Sequence, residues 1–248
     1  MIRIPQYLIG CLACFLLSSP HGFSSEKPWV LFQAGNAAYQ AGDFAGAREH
    51  YDAALAQTQS APLYFNLGNT AQRLGDYGLA IYAYEKALRL APGNPDVKAN
   101  LALARRAADV AAPPASLFSH LAHFTTVNRW TMITVIFAWA GLIFLLLPRL
   151  GARRSGWTVT LGILCWLVAL VGSVALWGYH QERDRAFVVS PEAIVRTSPA
   201  GESDVIVKPA AGTAVELGRI HGDHVRVKLR DGRSGWIALQ DVAPLWPY

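Results

Sequence analysis

Two uncharged apolar runs joined by a short basic loop constrain this chain more than any other feature. The first run extends from Trp130 to Leu147 and the second from Trp157 to Tyr179, with Pro148-Arg-Leu-Gly-Ala-Arg-Arg-Ser-Gly156 between them. As helices they would span roughly 27 and 34 Å, enough to cross a hydrocarbon layer of about 30 Å. Trp130, Trp157, Trp177 and Tyr179 stand at the run ends, where amphipathic rings favour the headgroup level. A buried helical pair in a soluble protein is the alternative, but runs this long without a charge disfavour it. The loop holds Arg149, Arg153 and Arg154 and no acid. The positive-inside rule therefore keeps it cytoplasmic and puts the flanking segments on the far side of the membrane.

The basic balance of the chain follows from this topology. The formal net charge is +5, yet residues 26–112 carry 8 Lys/Arg against 8 Asp/Glu and residues 180–248 carry 9 against 9. The excess sits on Arg3, Arg129, Arg149, Arg153 and Arg154, in the leader and around the hairpin. It orients a membrane protein and forms no phosphate-binding face, so no nucleic-acid partner is expected.

Residues 1–25 read as a signal peptide: Arg3, an apolar core from Tyr7 to Leu17, then small and polar residues that allow cleavage after Ser24. Leu8-Ile-Gly-Cys11 matches the pattern preceding a lipidated cysteine, but the chain stays apolar beyond it, which suits a signal core better. The three cysteines, Cys11, Cys14 and Cys165, all lie in apolar segments and cannot staple a folded module. An exported start agrees with a cytoplasmic hairpin loop.

Residues 28–110 contain a period of 33 residues. Gly35, Ala38, Gly42-Asp-Phe44, Ala47, Tyr51 and Ala54 recur as Gly68, Ala71, Gly75-Asp-Tyr77, Ala80, Tyr84 and Ala87, with Leu67 and Pro92 completing the second unit. This resembles the tetratricopeptide repeat (TPR), a helix–turn–helix unit in which small residues let helices approach and aromatics fill between them. Asn94-Pro95-Asp96 then opens a further helix with Val97 and Leu101 on its apolar face, as a capping helix for a two-repeat stack requires. The resemblance implies a groove lined by the first helix of each unit, presenting Phe32, Asn36, Tyr39, Asn66, Asn69 and Arg73 to a peptide. Asn36 and Asn66 match asparagines that in some members hydrogen-bond a peptide backbone. The cations that clamp a free C-terminus in those members are absent, Phe32 and Asp96 standing in two of their places.

Leu117, Phe118, Leu121 and Phe124 share one helical face, which predicts an interfacial helix over 115–127 ahead of the first span. His120 and His123 are close to that stripe, but two ligands make no metal site. The first transmembrane helix is expected over 130–147, the cytoplasmic loop over 148–156 and the second helix over 157–179.

Beyond the hairpin the pattern changes to short β-branched runs between turn residues. These are 186–189, 193–196, 204–207, 213–217, 224–229 and 234–238, with Asp231-Gly232 as a hairpin turn. Val195-Arg196, Gly212-Thr213, the Val225–Val227 alternation and Gly235-Trp-Ile237 resemble the bacterial SH3-like barrel, here over 186–246. Gly222-Asp-His224 replaces the Gly-Trp usual in that family, so part of an aromatic ligand groove is missing. Some relatives bind cell-wall peptides and others bind proteins, and fold alone does not choose.

The fold class expected is therefore a multidomain membrane protein, with an all-α TPR repeat, a two-helix transmembrane hairpin and an all-β SH3-like barrel. No nucleophile elbow, phosphate-cradling glycine loop, zinc-protease motif or paired acid centre occurs, so no catalytic residue, metal or cofactor is expected and the reading is non-enzymatic. Domain order together with Asn94-Pro-Asp-Val-Lys-Ala-Asn-Leu-Ala-Leu-Ala-Arg105 resembles the BatE-type proteins of bacterial aerotolerance operons. That resemblance implies a multi-pass inner-membrane scaffold with its TPR and SH3-like modules extracytoplasmic. Its partners would be membrane and periplasmic proteins, including von Willebrand A-domain proteins, in an envelope-stress assembly. A receptor for cell-wall peptidoglycan is the alternative.

Overall fold

The structure is a computed structural model that describes residues 26–113, 117–147, 156–200 and 203–246. The expected signal peptide and the loop arginines Arg149, Arg153 and Arg154 lie outside the described residues. Five helices build the N-terminal module: α1 (Glu26–Gln40), α2 (Phe44–Leu55), α3 (Ala61–Arg73), α4 (Tyr77–Leu90) and α5 (Pro95–Ala107). The repeat spacing has a local cause at each turn. Gly42 and Gly75 take φ of 81° and 75°, a left-handed conformation that stops α1 and α3. The following residue caps the next helix: Asp43 accepts from Gly46 N at 2.9 Å and Asp76 from Leu79 N at 3.1 Å. Gly35 and Gly68 give room for the paired ring, because a Cβ at either would lie 2.6 Å from Cε1 of Tyr51 or Tyr84. Ala47, Tyr51, Ala54, Leu67, Ala71, Ala80, Ile81, Tyr84 and Ala87 are fully buried in the resulting core. Val97, Leu101 and Ala104 of α5 close its far end.

Helix α6 (Leu117–Ala122) covers only part of the 115–127 stretch expected to be helical. The chain turns at Phe124 and re-enters a helix after Thr126, and the Trp130 indole donates to the Ala122 carbonyl, satisfying the end of α6. Phe124, expected on a helical stripe, instead projects from the turn and is 82% exposed. Helices α7 (Val127–Leu146) and α8 (Gly156–Gln181) pack against each other and are each long and apolar enough to cross a membrane. Most of their side chains are uncovered by the rest of the protein.

The C-terminal module is a seven-stranded antiparallel sheet of β1 (Arg185–Val188), β2 (Val195–Arg196), β3 (Val205–Val207), β4 (Ala214–His221), β5 (His224–Lys228), β6 (Ser234–Ala238) and β7 (Val242–Pro244). Its order is β3-β2-β6-β5-β4-β1-β7. The expected barrel is not closed: β3 and β7 are edges, and the ladder does not join them. Each of these edge strands is only three residues long, and they stand at opposite ends of the strand order. Strand β7 was not legible as a strand in the sequence; it forms by pairing Ala186, Phe187 and Val188 with Pro244, Ala243 and Val242. Val188, Val195, Val215, Val225, Val227 and Ile237 fill the interior face.

The two folded modules share a core. Phe187 of β1 and Leu245 are buried in the helical module's hydrophobic cluster, not in that of their own sheet. Full burial of a phenylalanine contributes about 2–3 kcal/mol, so this docking is substantial. It also sets the direction of α4. Near its start, Gly78 lies against the Val189 carbonyl and Ala211, so closely that a Cβ would be 2.7 Å from that oxygen. Near its end, Arg89 reaches Glu182 just beyond α8. Helix α4 thus runs from the sheet to the start of α7 and the end of α8.

Candidate functional site

Helices α1, α3 and α5 present one face of the stack, and their asparagines are joined across it. The Asn36 side-chain oxygen accepts from the Tyr51 hydroxyl and from Asn66 Nδ2, both at 2.8 Å. One repeat on, the Asn69 oxygen accepts from the Tyr84 hydroxyl at 2.8 Å and from Asn100 Nδ2 at 2.9 Å. Each rung therefore ties a first helix to its own second helix and to the first helix of the next unit. Burial pushes the Tyr51 and Tyr84 hydroxyls above the ordinary phenol range, which keeps them neutral donors. Because the Asn36 oxygen is doubly engaged, its Nδ2 remains as a donor; because Asn66 spends its Nδ2, its oxygen remains as an acceptor.

Gln33, Asn36, Tyr39, Gln40, Tyr51, Asn66 and Asn69 line a cleft of about 280 Å³ on this face. The lining is four kinds of polar contact without a formal charge: amide donors, amide acceptors, phenol hydroxyls and aromatic faces. Four of the six residues expected in the groove, Asn36, Tyr39, Asn66 and Asn69, come together here. The other two are placed elsewhere. Phe32, one turn before Asn36, packs towards the start of the stack against Trp29 and Tyr51, with ring centroids 5.8 and 6.2 Å away. Arg73, in the last turn of α3, stacks its guanidinium 4.8 Å from the Phe44 ring centroid. Gln33, Gln40 and Tyr51 were not singled out from sequence as lining, Tyr51 reading as core. Asn100 was also missed, although it stands 34 residues after Asn66, one unit further along.

A second concentration of polar contacts marks the junction of the modules. The Glu182 carboxylate, 4% exposed, accepts from Arg89 of α4 at 2.6 Å and from Arg185 of β1 at 3.2 Å, and pairs with His123 at 3.0 Å. Burial alone would raise its pKa, but the His123 hydrogen bond and the charges of Arg185 and Arg89 outweigh it and hold the carboxyl below the usual range. The Arg89 guanidinium also lies 5.2 Å from the Trp246 ring and 5.7 Å from Tyr179. Tyr179 in turn donates to the Thr125 carbonyl at 2.7 Å. Four chain segments meet here. Among the described residues no group of three His, Cys, Asp or Glu gathers with metal-ligand geometry.

These features define a helical-repeat protein with a neutral polar cleft on the first-helix face. Residues 32–95 match the tetratricopeptide repeat family, a span that takes in both rungs' acceptors and both tyrosines. No curated protein matches the chain. Repeats of this kind point to a protein–protein interaction scaffold.

Proposed function

We propose that this protein is a non-enzymatic, membrane-anchored scaffold of the BatE type. In this reading α7 and α8 cross the bacterial inner membrane, the loop with Arg149, Arg153 and Arg154 stays inside, and the repeat and SH3-like modules both face outward. The repeat module holds an extended segment of a membrane or periplasmic partner, von Willebrand A-domain proteins among them, in an envelope-stress assembly.

The observation that carries the reading is the uncharged cleft of amides and phenols on the first-helix face. An extended polypeptide presents alternating C=O and N–H groups that lose water on docking, and the unspent Asn36 donor and Asn66 acceptor answer both kinds. The internal rungs hold these amides in place before any ligand arrives, which lowers the entropy lost on binding.

The test is affinity purification of the full-length protein in mild detergent, with partners identified by mass spectrometry. Gln33→Arg combined with Gln40→Arg fills the cleft without touching the rungs. A defined partner set that disappears in this variant supports the scaffold reading. Partners that persist remove the cleft from it. Recovery of peptidoglycan in place of any protein turns the reading to a cell-envelope receptor acting through the sheet.

A further inference from the structure

We propose that the edge of the helical stack carrying Trp29 and Val30 rests on a lipid surface. This inference depends on α7 and α8 crossing a bilayer, and deepens that reading by fixing how the repeat module sits on it.

The direction of α4 supplies the geometry. Its first turn lies against Val189 and Ala211 in the sheet module, and its last turn contacts Glu182, where α8 has just ended. The following turn, Leu90 to Asn94, borders a small cleft shared with Thr125, Thr126 and Arg129 at the outer end of α7. The α4–α5 turn is therefore at the level where the apolar helices emerge. Consecutive helices of the stack run antiparallel, so the start of α1, the α2–α3 turn and the start of α3 lie on that same edge. Packed helices are spaced by about 8–10 Å, which keeps this edge within a few helix widths of the hairpin.

What the edge exposes is apolar. Trp29 is 60% exposed and Val30 61%. Pro28, Trp29, Phe32, Pro62 and Leu63, with Thr58 and Ser60, line an open groove of about 230 Å³. Leu90 is exposed on the same edge, and Phe124 projects from the α6–α7 turn beside it. The opposite edge, formed by the α1–α2 and α3–α4 turns and the last turns of α5, shows Leu74 and Leu103 as its large exposed apolar side chains and no tryptophan. The asymmetry matches an interfacial plane: tryptophan favours the headgroup region, where its ring is shielded and its N–H stays wet. Lipid is the occupant this argument selects because the α4–α5 turn of this edge meets the start of α7, the level at which the uncovered apolar surface of α7 and α8 ends. With Trp29 seated in the headgroups, the asparagine cleft opens sideways, parallel to the membrane.

The experiment uses the full-length protein with Cys11, Cys14 and Cys165 replaced by serine, reconstituted in nanodiscs of phosphatidylethanolamine and phosphatidylglycerol. A nitroxide is attached in turn through Val30→Cys, Ala41→Cys on the opposite edge and Ile136→Cys within α7. Collision rates with oxygen and with a water-soluble nickel chelate are then measured. The expected result is an oxygen-to-nickel ratio highest at position 136, several-fold above that of position 41 at position 30, and aqueous at 41. If position 30 is as aqueous as position 41 while 136 is lipid-buried, the edge does not touch lipid and the inference is overturned with the membrane reading intact. If position 30 is shielded from both reagents, a protein surface covers it and the lipid occupant is wrong. If position 136 is itself aqueous, α7 does not cross the bilayer and both readings fail.

Discussion

Arg89 and Glu182 stand 93 residues apart in the chain and 2.6 Å apart in the fold, both almost wholly buried. This one contact ties the second repeat to the residue that follows the longer apolar helix. A buried carboxylate met by two arginines and a histidine, from α4, β1 and the turn after α6, is a structural joint, and several consequences of the fold run through it.

Removing the carboxylate charge leaves Arg89 buried without its counterion. Glu182→Gln should weaken the module junction by about 3 kcal/mol. Hydrogen exchange in the last turn of α4 and in β1 reads this as a loss of protection of roughly 100-fold, since about 1.4 kcal/mol is tenfold. Glu182→Leu combined with Arg89→Met should recover most of it, because the deeply buried guanidinium is gone and the other two partners, Arg185 and His123, are partly exposed to water. Equal exchange in all three proteins would show that the junction is held by Phe187 and Leu245 alone.

Acid should loosen the same joint. The Glu182 pKa is lowered in the fold from its ordinary 4.5, so the folded form binds a proton less readily than the unfolded chain. Its stabilisation is present in full above the ordinary value and is lost as pH falls through the depressed one. The protection factor in β1, which removes the intrinsic pH dependence of amide exchange, should therefore be flat from neutral pH to the ordinary glutamate range and fall below it, an acid acceleration of opening. In Glu182→Gln the acid acceleration should be blunted, which separates this group from the other carboxylates.

The two asparagines that bridge α1 and α3 should differ in their importance to stability. Asn36→Ala strands two donors, the Tyr51 hydroxyl and Asn66 Nδ2, whereas Asn66→Ala leaves the Tyr51 bond to Asn36 intact. The first should cost about 2 kcal/mol and the second about 1 or less. Denaturant titration followed by helical circular dichroism gives the comparison; equal costs would mean the rungs are not the support described above.

Close packing in the second repeat predicts a sharper penalty. A Cβ at position 68 would lie 2.6 Å from Cε1 of Tyr84, a ring fully buried and held by Asn69 and Gln72. Gly68→Ala should destabilise the repeat module by about 1–3 kcal/mol. Gly93→Ala, with nothing within 4 Å, should be near neutral in the same thermal melt. A neutral Gly68→Ala would require α3 and α4 to separate freely.

Local signals explain which parts of this architecture were legible in advance. The glycine and aspartate of Gly42-Asp43 and Gly75-Asp76 act within a few residues of themselves, one by its backbone angle and the other as a cap, so the repeat boundaries could be read directly. The same holds for the two long apolar helices. Sheet boundaries were less accessible: β4 runs four residues past its expected end at Leu217, because its pairing with β5 continues to His221 opposite His224. Of the groove that the repeat resemblance implied, Asn36, Tyr39, Asn66 and Asn69 line the cleft, but Phe32 and Arg73 leave it for aromatic contacts that the repeat pattern does not encode.

Periodicity, capping and hydropathy act over one or two turns of chain, so the order of modules, the helical repeat and two helices able to cross a membrane could be read from the residues alone. Long-range packing was needed to show that Phe187 belongs to the helical core, that Glu182 gathers Arg89, His123 and Arg185, and that the Asn36 and Asn69 oxygens are already occupied from within. Apart from the local Glu182–Arg185 pair, these hydrogen-bonded partners stand 15 to 93 positions apart, and they are selected by which faces remain to be buried once the local elements exist.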